Sequence, residues 1–352
     1  MATSSSYTAQ ASESLEQVLK SIEAKLPDSF PERGLKLFEP GEIAEKTDAE
    51  LVKLLEYWNP VLGNQAAKEL GQRGLKNLSS IRELSKSSNR LTRVSAARAI
   101  VSIFENILAP DKNSETPRPN ADDAKKIIKN NDFINDLKRF STDENRDVRR
   151  IAANGLRYCN GVSKEAIIML IELASDQDYH VAEDTIKILY KSFGSEVKPG
   201  SDLVEAVQHV LSSPLPRGKG SAVSIIQRFK KDDQKIFLPF LLDRVRWEPS
   251  RDGMFSADGL KASIKILKDH NHKDLPKAFI DSMHVELRGF NSFEFAMEEL
   301  KKLPKSVLVE HKPLLEKKAD HLQEIAKIRR DRKSKRTLEK RVKLLEFIKT
   351  IN

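Results

Sequence analysis

Two histidines and two aspartates crowd into one short stretch of the chain, KDHNHKD. His270 and His272 lie between Asp269 and Asp274, and imidazole nitrogens and carboxylate oxygens are both ligands of divalent metals. The stretch lacks the helical histidine pair or the paired cysteines that hold zinc in a fixed geometry. We therefore assign no metal site and expect no cofactor.

Three other patterns could support catalysis. The stretch PLPRGKGSAV resembles a phosphate-binding loop, but Lys219 is followed by Gly220 instead of serine or threonine, so we interpret it as a flexible turn. The single cysteine, Cys159, lies at a core position of the repeat defined below, which favours a buried structural thiol. Trp247 and Asp252 offer one local aromatic and carboxylate pair of the kind that base-excising enzymes use. We assign no catalytic residue, and the sequence favours a protein without enzymatic activity.

Positive charge is concentrated in one segment near the carboxyl end. The chain carries a formal net charge of +9. Between Lys327 and Lys343, ten Lys or Arg residues accompany two acids, Asp331 and Glu339, so this segment has a charge of +8 and the remainder about +1. Such a segment predicts contact with nucleic-acid phosphates, contact with an acidic protein, or a passive charged cap. Its candidate binding residues are Arg329, Arg330, Arg332, Lys333, Lys335 and Arg336.

A repeated pattern of small and large residues predicts the scaffold that positions these charges. Seven times along the chain, a small residue precedes a bulky aliphatic residue by four positions. Such positions share one face of a helix, so the small residue lets two helices approach and the large one fills the space between repeats. The small residues recur 30 to 41 residues apart, except for a 56-residue gap that contains the segment from Pro110 to Asn120. This period is typical of stacked helical repeats. The pairs are Ala66/Leu70, Ala96/Ile100, Ala152/Leu156, Thr185/Leu189, Ala222/Ile226, Ser263/Leu267 and Ala296/Leu300.

The stretch DENRDVRRIAANGLRYC resembles the second helix of HEAT-type repeats. It matches the pattern of that family at Asp147, Val148, Arg149, Ala152, Ala153 and Leu156. The stretches NPVLGNQAAKELGQRG and LTRVSAARAI also match, DYHVAEDTIKIL matches in part, and the units from Ala222 onward match weakly. The resemblance implies an all-α fold, a right-handed α-solenoid of about seven helix pairs with a C-terminal helical cap or tail, and a concave face that binds partners.

Three regions follow from these patterns. Residues 1–46 form a leader that is partly disordered and contains a short helix, residues 47–310 form the repeat array, and residues 311–352 form a basic amphipathic helical segment. Thr47 and Glu50 stand three apart before an apolar run. This spacing predicts a capping box, in which each side chain satisfies a backbone donor where the first helix of the array begins.

The repeat register predicts which side chains line the concave face. If the small residue and the positions one and four later point into the core, the positions two, five and six later point away from it. Those positions are rich in Lys and Arg. We expect them to hold phosphates or an acidic protein segment, while the alternative is a set of ordinary solvated helix faces. The candidate binding residues are Lys68, Arg98, Arg157, Lys187, Lys191, Arg228, Lys265 and Lys268.

The sequence favours a non-catalytic binding or scaffold protein that uses the concave face and the basic segment to hold an acidic partner. A protein partner with an acidic surface is favoured over a nucleic acid. The alternative is an enzyme that resembles helical-repeat DNA glycosylases acting on alkylated bases, with Trp247 and Asp252 at the flipped base. A third possibility is a subunit of a larger assembly, which would be indicated if Leu338, Leu345 and Ile348 were exposed along one face of the monomer.

The expected location is the cytoplasm. The amino-terminal stretch, MATSSSYTAQASESLEQ, lacks the basic and apolar regions of a signal peptide. No run of about 18 apolar residues occurs, so we expect no membrane insertion. One cysteine is compatible with a reducing compartment. The oligomeric state stays open.

Overall fold

A computed structural model describes most of the chain. The described residues are 38–57, 59–109, 119–193, 200–213, 218–247, 257–283, 286–287, 290–328 and 332–351. Several features of the sequence lie outside them, so their predictions stay untested. These features are the short leader helix, residues 110–118 of the insertion, Asp252, Arg329 and Arg330.

The described residues up to Val162 are helical. Their helices are α1 (Pro40–Ala44), α2 (Asp48–Leu54), α3 (Pro60–Arg73), α4 (Leu78–Leu84), α5 (Arg90–Leu108), α6 (Ala121–Asn130), α7 (Phe133–Ser141) and α8 (Arg146–Leu156). Single 3-10 turns follow α3 at Gly74–Asn77 and α8 at Arg157–Cys159.

The described residues from Ser163 onward are helical except for one short strand pair. Their helices are α9 (Glu165–Ala174), α10 (Tyr179–Phe193), α11 (Ser201–Ser212), α12 (Lys219–Ile226), α13 (Lys231–Gln234), α14 (Leu238–Trp247), α15 (Ala257–Asp269), α16 (Leu275–Ser282), α17 (Ser292–Lys301), α18 (Lys305–Ile328) and α19 (Arg332–Thr350), with a 3-10 turn at Lys235–Phe237. Strands β1 (Glu286–Leu287) and β2 (Phe290–Asn291) pair antiparallel, with Glu286 opposite Asn291. The all-α class predicted from the sequence is confirmed for the described residues.

Asparagines mark the starts of three helices that carry the small and large pairs. The side chains of Asn59, Asn89 and Asn145 each accept a hydrogen bond from the backbone N–H two residues later, at 2.9, 2.9 and 2.8 Å. Each bond satisfies a donor that has no partner within its helix. The predicted capping box is also present, because the Thr47 N–H donates to Glu50 Oε2 at 2.7 Å and the Glu50 N–H to Thr47 Oγ1 at 3.3 Å.

All seven pairs of small and large residues lie in the core, and each of the fourteen side chains is fully buried. Helices approach closely where the residues are smallest. A Cβ atom added at Gly155 of α8 would lie 2.5 Å from the Leu137 side chain of α7 and 3.0 Å from that of Val101 of α5. Close packing of this kind tolerates no added methyl group without a shift of its neighbours.

The helices of each unit pack on their sequence neighbours and on the next helix but one. The helices contact one another in two compact units, which meet in the sequence between Val162 and Ser163. In the first unit, α3, α5 and α8 contact one another in that order, and α2, α4 and α7 pack beside them. In the second unit, α10, α12 and α15 form one such series, and α9, α11, α14, α16 and α18 form another. The region boundaries predicted at residues 46 and 310 stay predictions.

The Asn145 cap provides a test of the helix starts. We expect Asn145→Ala to lower the free energy of unfolding by about 1 kcal/mol, because the N–H of Asp147 then loses its acceptor. Asn145→Asp keeps the oxygen and should stay close to the unchanged protein. Urea denaturation followed by circular dichroism compares the two variants, and equal stability for both would contradict this role of the amide.

Candidate binding surfaces

Arg98 is the predicted site residue with the most unusual environment. It lies on α5 and is partly buried. Burial lowers the pKa of its guanidinium, the nearby Asp147 carboxylate raises it, and the Arg150 guanidinium lowers it. Within the part of the chain that the structure describes, the Arg98 side chain has no hydrogen-bond acceptor. None of its nitrogen atoms is completely shielded from solvent, so among the described residues its N–H donors are left to water rather than to an acceptor of the protein.

The neighbours of Arg98 come from α8 and form a small charged cluster with it. An Arg150 Nη1 atom lies 3.8 Å from an Asp147 Oδ1 atom on the same helix. Two guanidiniums thus accompany one carboxylate, which leaves the cluster with a net positive charge. Sequence reasoning missed Arg150, which stands two positions before Ala152. Extending the outward register by one turn, from two positions after the small residue to two before it, would have found it.

Arg157 is engaged by the neighbouring helix. Its Nη2 atom lies 2.9 Å from Glu105 Oε1 of α5, and its guanidinium lies 4.6 Å from the ring centre of Tyr158. The Tyr158 hydroxyl donates to the same carboxylate, and burial followed by the Glu105 charge raises the pKa of this phenol. Arg157 is therefore a half-exposed member of an ion pair rather than an isolated cation.

Two of the lysines predicted for the second unit are also paired. Lys187 lies 3.3 Å from Asp184, and Lys268 lies 2.8 Å from Glu299 of α17. Lys302 binds the same Glu299 carboxylate at 2.5 Å. Burial raises the pKa of Glu299, but the hydrogen bonds from the two lysines outweigh it and leave the pKa lowered. These pairs reduce the positive charge that Lys187 and Lys268 offer to a ligand.

The other four predicted cations are exposed. Lys68 lies on α3, Lys191 on α10 and Lys265 on α15. The Arg228 guanidinium, just after α12, lies 4.8 Å from the ring centre of Tyr190 on α10, close enough for a cation–π interaction. The prediction that these eight residues line one face stays a prediction, but the structure separates the exposed cations from those held in ion pairs.

The basic carboxyl-terminal segment is helical and packs within its own unit. Its two long helices, α18 and α19, contact each other, and the Ser334 hydroxyl donates to the Ala326 carbonyl at 2.8 Å. The α19 side chains that are buried are Thr337, Leu344, Phe347 and Ile348. Ile348 is therefore packed, although Leu338 is 43% exposed and Leu345 is partly exposed. The segment therefore packs on its own unit through one side of α19 and leaves aliphatic side chains exposed on another, and the cap stays a prediction.

Four of the predicted basic residues of this segment lie at the start of α19. Lys335 and Arg336 are exposed. Arg332 and Lys333 form the beginning of the helix, and Arg329 and Arg330 lie outside the described residues. The first turn of α19 contains no acidic residue, although the amino terminus of a helix favours negative charge.

The two histidines of the candidate metal stretch make local hydrogen bonds. His270 Nε2 lies 3.2 Å from Gln234 Oε1, and His272 Nδ1 accepts from the Asp274 N–H at 3.3 Å. Among the residues that the structure describes, no group of three or more His, Cys, Asp or Glu side chains is arranged to hold a metal ion.

The structure explains the other candidate catalytic patterns by packing and hydrogen bonding, as far as their residues are described. Cys159 is fully buried, and burial raises its pKa to about 12, so the predicted burial of an unreactive thiol is confirmed. Gly218, which precedes α12, donates its backbone N–H to the buried Glu183 carboxylate. A protein carboxylate thus already occupies the helix start that a phosphate would need. Trp247 ends α14, while Asp252 lies outside the described residues, so the base-excision alternative has no support from geometry.

Comparisons with known proteins identify no family. No family model matches the chain, and no curated protein matches it. Among solved structures, the chain is similar to the crystal structure of an engineered protein from the Northeast Structural Genomics Consortium, at 18% identity over 72% of this chain and 95% of that chain. The TM-score is 0.28, which is too low to establish a common fold. Among the described helices, none is both long and apolar enough to cross a bilayer.

Proposed function

We propose that this chain is a non-catalytic binding protein that holds an acidic partner on the charged faces of stacked helix pairs. The proposed architecture is a right-handed α-solenoid of HEAT-like repeats. Support comes from the packing of each helix on its neighbour and on the next but one within each unit. The recurring asparagine caps and the seven buried pairs of small and large residues support the same repeat.

Two buried arginines at equivalent repeat positions also support stacking. Arg93 and Arg149 each stand three residues before the small residue of a pair. Arg93 Nη1 donates to the carbonyls of Ser87 and Ser88, and Arg149 Nη1 donates to those of Asp143 and Glu144. Arg93 also reaches across to the Asp143 carboxylate, at 3.0 Å. The Arg93 guanidinium thus donates to the carbonyls of the turn that precedes its own helix and also binds a carboxylate in the turn of the following helix pair. Such a group is suited to join adjacent repeats.

The observation that carries the proposal is the unmatched guanidinium of Arg98. A partly buried guanidinium that is bonded only by water can exchange that water for an acceptor of a partner, and hydrogen bonds between charged groups are the stronger ones. An acidic side chain of a partner would supply that acceptor in the planar, two-bond geometry that guanidinium groups favour. Arg150 adds a second positive charge nearby. Within the second unit, the exposed Lys191, Arg228 and Lys265 are candidate contacts of the same class for an acidic partner.

The proposal favours a protein partner and a cytoplasmic location. Carboxylates and phosphates both suit the two arginines of the Arg98 cluster. A nucleic-acid backbone carries a negative charge at every phosphate and is therefore repelled by Asp147, whereas a protein can place its acidic side chains beside the arginines and away from Asp147. Cys159 is a buried thiol, in keeping with a reducing compartment.

Removal of the Arg98 guanidinium tests this function. We expect Arg98→Gln to weaken binding of a fluorescent glutamate-rich peptide about tenfold, because one charge-assisted contact contributes about 1.5–3 kcal/mol. Lys68→Gln, which removes an equal charge from an exposed residue, should weaken binding less than about threefold. Fluorescence anisotropy measures both affinities.

Circular dichroism confirms that both variants are folded before their affinities are compared. Equal affinities for Arg98→Gln and the unchanged protein would overturn the assignment of Arg98. An effect of Lys68→Gln as large as that of Arg98→Gln would show that only the total charge matters.

A further inference from the structure

Helix α19 carries a row of side chains that its own unit leaves uncovered. The row consists of Lys335, Leu338, Val342, Leu345 and Lys349. Spacings of three and four residues place these side chains along one stripe of the helix. Leu338 is 43% exposed and Val342 is 51% exposed, Leu345 is partly exposed, and the two lysines are exposed. The row is therefore an aliphatic seam with a cation at each end.

The contacts of α19 within the unit use other sides of the helix. Thr337, Leu344 and Ile348 form a buried stripe, and α18 is the helix that α19 contacts most. Lys343 binds Glu294 of α17 at 2.6 Å, and the Lys340 Nζ atom lies 5.7 Å from the Phe293 ring centre. Leu338, Val342, Leu345 and Lys349 of the seam each follow or precede one of these residues by one position. One position is about 100° around a helix, so the seam is rotated away from both neighbours.

A further exposed aliphatic residue lies near the start of the seam. Ile328, the last residue of α18, is 80% exposed. The bond from Ser334 to the carbonyl of Ala326 holds the start of α19 beside the end of α18. Exposed aliphatic side chains at the end of α18 and along α19 are typical of surfaces that bind another molecule.

The surrounding charge argues against a second copy of this chain on the seam. The segment from Lys327 to Lys343 has a net charge of +8, so two copies repel each other. Antiparallel pairing of two seams about Val342 would also place Lys335 of one copy opposite Lys349 of the other, and both are cations. The partner must therefore carry negative charge.

Two carboxylates beside the seam limit the partner further. Glu339 and Glu346 are exposed, and each directly follows a leucine of the seam in sequence, which places both on one flank of it. A nucleic-acid backbone or an anionic lipid surface is negative throughout and would be repelled by this flank. A helix of a partner protein can instead place a basic residue opposite each carboxylate and acidic residues opposite the lysines and arginines.

We propose that α19 docks an amphipathic helix of a partner protein, acidic overall, whose aliphatic residues at spacings of three and four pack along Leu338, Val342 and Leu345. This inference rests on the proposed function for its acidic partner and adds the form that the partner takes. Binding of a helix in a shallow apolar groove through such evenly spaced anchors is a recurring mode of recognition.

Two synthetic peptides that differ only in their seam residues test the inference. Both are helical, about 21 residues long (three heptads) and rich in glutamate. One has leucine at the a and d positions, and the other has serine there. We expect the full chain to bind the leucine peptide at least about tenfold more tightly than the serine peptide in fluorescence anisotropy at about 0.15 M salt. In the variant Leu338→Ser/Val342→Ser, this ratio should fall to about one.

A matched control separates the seam from exposed aliphatic surface in general. Ile168 of α9 is 58% exposed, and Ile168→Ser should leave the ratio between the two peptides unchanged. All these residues are exposed, so the variants should fold normally. Circular dichroism checks this before binding is compared.

The remaining outcomes separate the inference from the function on which it rests. Equal binding of both peptides, with charge reversal at Lys335 and Arg336 weakening both, would overturn helix docking and leave the acidic partner in place. Binding to phosphatidylserine vesicles that is lost in Leu338→Ser/Val342→Ser, without preference between the peptides, would assign the seam to a membrane surface and also overturn the inference. Failure to bind either peptide or duplex DNA would overturn the inference and the proposed function together.

Discussion

Phe104→Ala should lower the free energy of unfolding by about 4 kcal/mol, the largest single effect that we expect in the first unit. Phe104 of α5 is fully buried, and its ring stacks on that of Phe133, the first residue of α7, with 3.8 Å between ring centres. Truncation removes a large apolar surface and this stacking contact, and it leaves a cavity that the neighbouring helices fill only in part. Urea denaturation followed by circular dichroism measures the change.

An exposed residue provides the control for this substitution. Ile168→Ala changes an aliphatic side chain that is 58% exposed on α9 and should alter the free energy of unfolding by less than about 0.5 kcal/mol. A loss below about 1 kcal/mol in Phe104→Ala would contradict the close packing of the Phe104 ring in the core.

The second large effect concerns Arg93. We expect Arg93→Met to lower the free energy of unfolding by about 3 kcal/mol, because its removal leaves the Asp143 carboxylate without a cation and the carbonyls of Ser87 and Ser88 without the Arg93 donor. The Arg93 and Asp143 side chains are 11% and 14% exposed, so water replaces these bonds poorly. The hydrogen bonds that Arg93 donates to Asp143 raise the pKa of the guanidinium despite burial, so Arg93 stays charged at neutral pH.

A double-mutant cycle isolates the contact between the two repeats. In the unchanged protein the Asn145 N–H donates to Asp143 Oδ1 at 2.8 Å. Asp143→Asn keeps an oxygen that can accept this bond but removes the negative charge that Arg93 binds. We expect the two substitutions to be coupled by about 1 kcal/mol or more when their effects on urea denaturation are compared singly and together. Additive effects would show that the ion pair does not join the repeats.

The scaffold could be predicted from sequence because its determinants are local. A small residue lets helices approach through its own size, and a large residue four positions later shares its face, so both requirements are visible in a single stretch. All seven pairs are buried as this reasoning requires. The Thr47 and Glu50 capping box is equally local, because its two bonds join residues three apart.

The electrostatic state of the candidate site could not be predicted in the same way. Outward register identifies which residues leave the core, but it does not identify which acids meet them. Glu105 pairs with Arg157 across 52 positions of sequence, and Glu299 pairs with Lys268 across 31. Both partners come from a neighbouring helix, so only the packing of helices shows that these cations are engaged.

Arg98 illustrates the opposite case. Its sequence position is equivalent to that of Lys68, yet Lys68 is exposed while Arg98 is partly buried beside Asp147 and Arg150 of α8. Position in the repeat alone therefore does not predict how far a cation is buried or which charges lie near it.

The salt dependence of binding to an acidic probe tests the central claim most directly. A fluorescent glutamate-rich peptide of about 20 residues is titrated with the full chain from about 0.05 to 0.5 M salt, and anisotropy gives the affinity at each concentration. The claim predicts measurable binding at low salt that weakens steadily as salt rises, while a matched lysine-rich peptide does not bind. No binding of the acidic peptide at the lowest salt, or equal binding of both peptides, would contradict it.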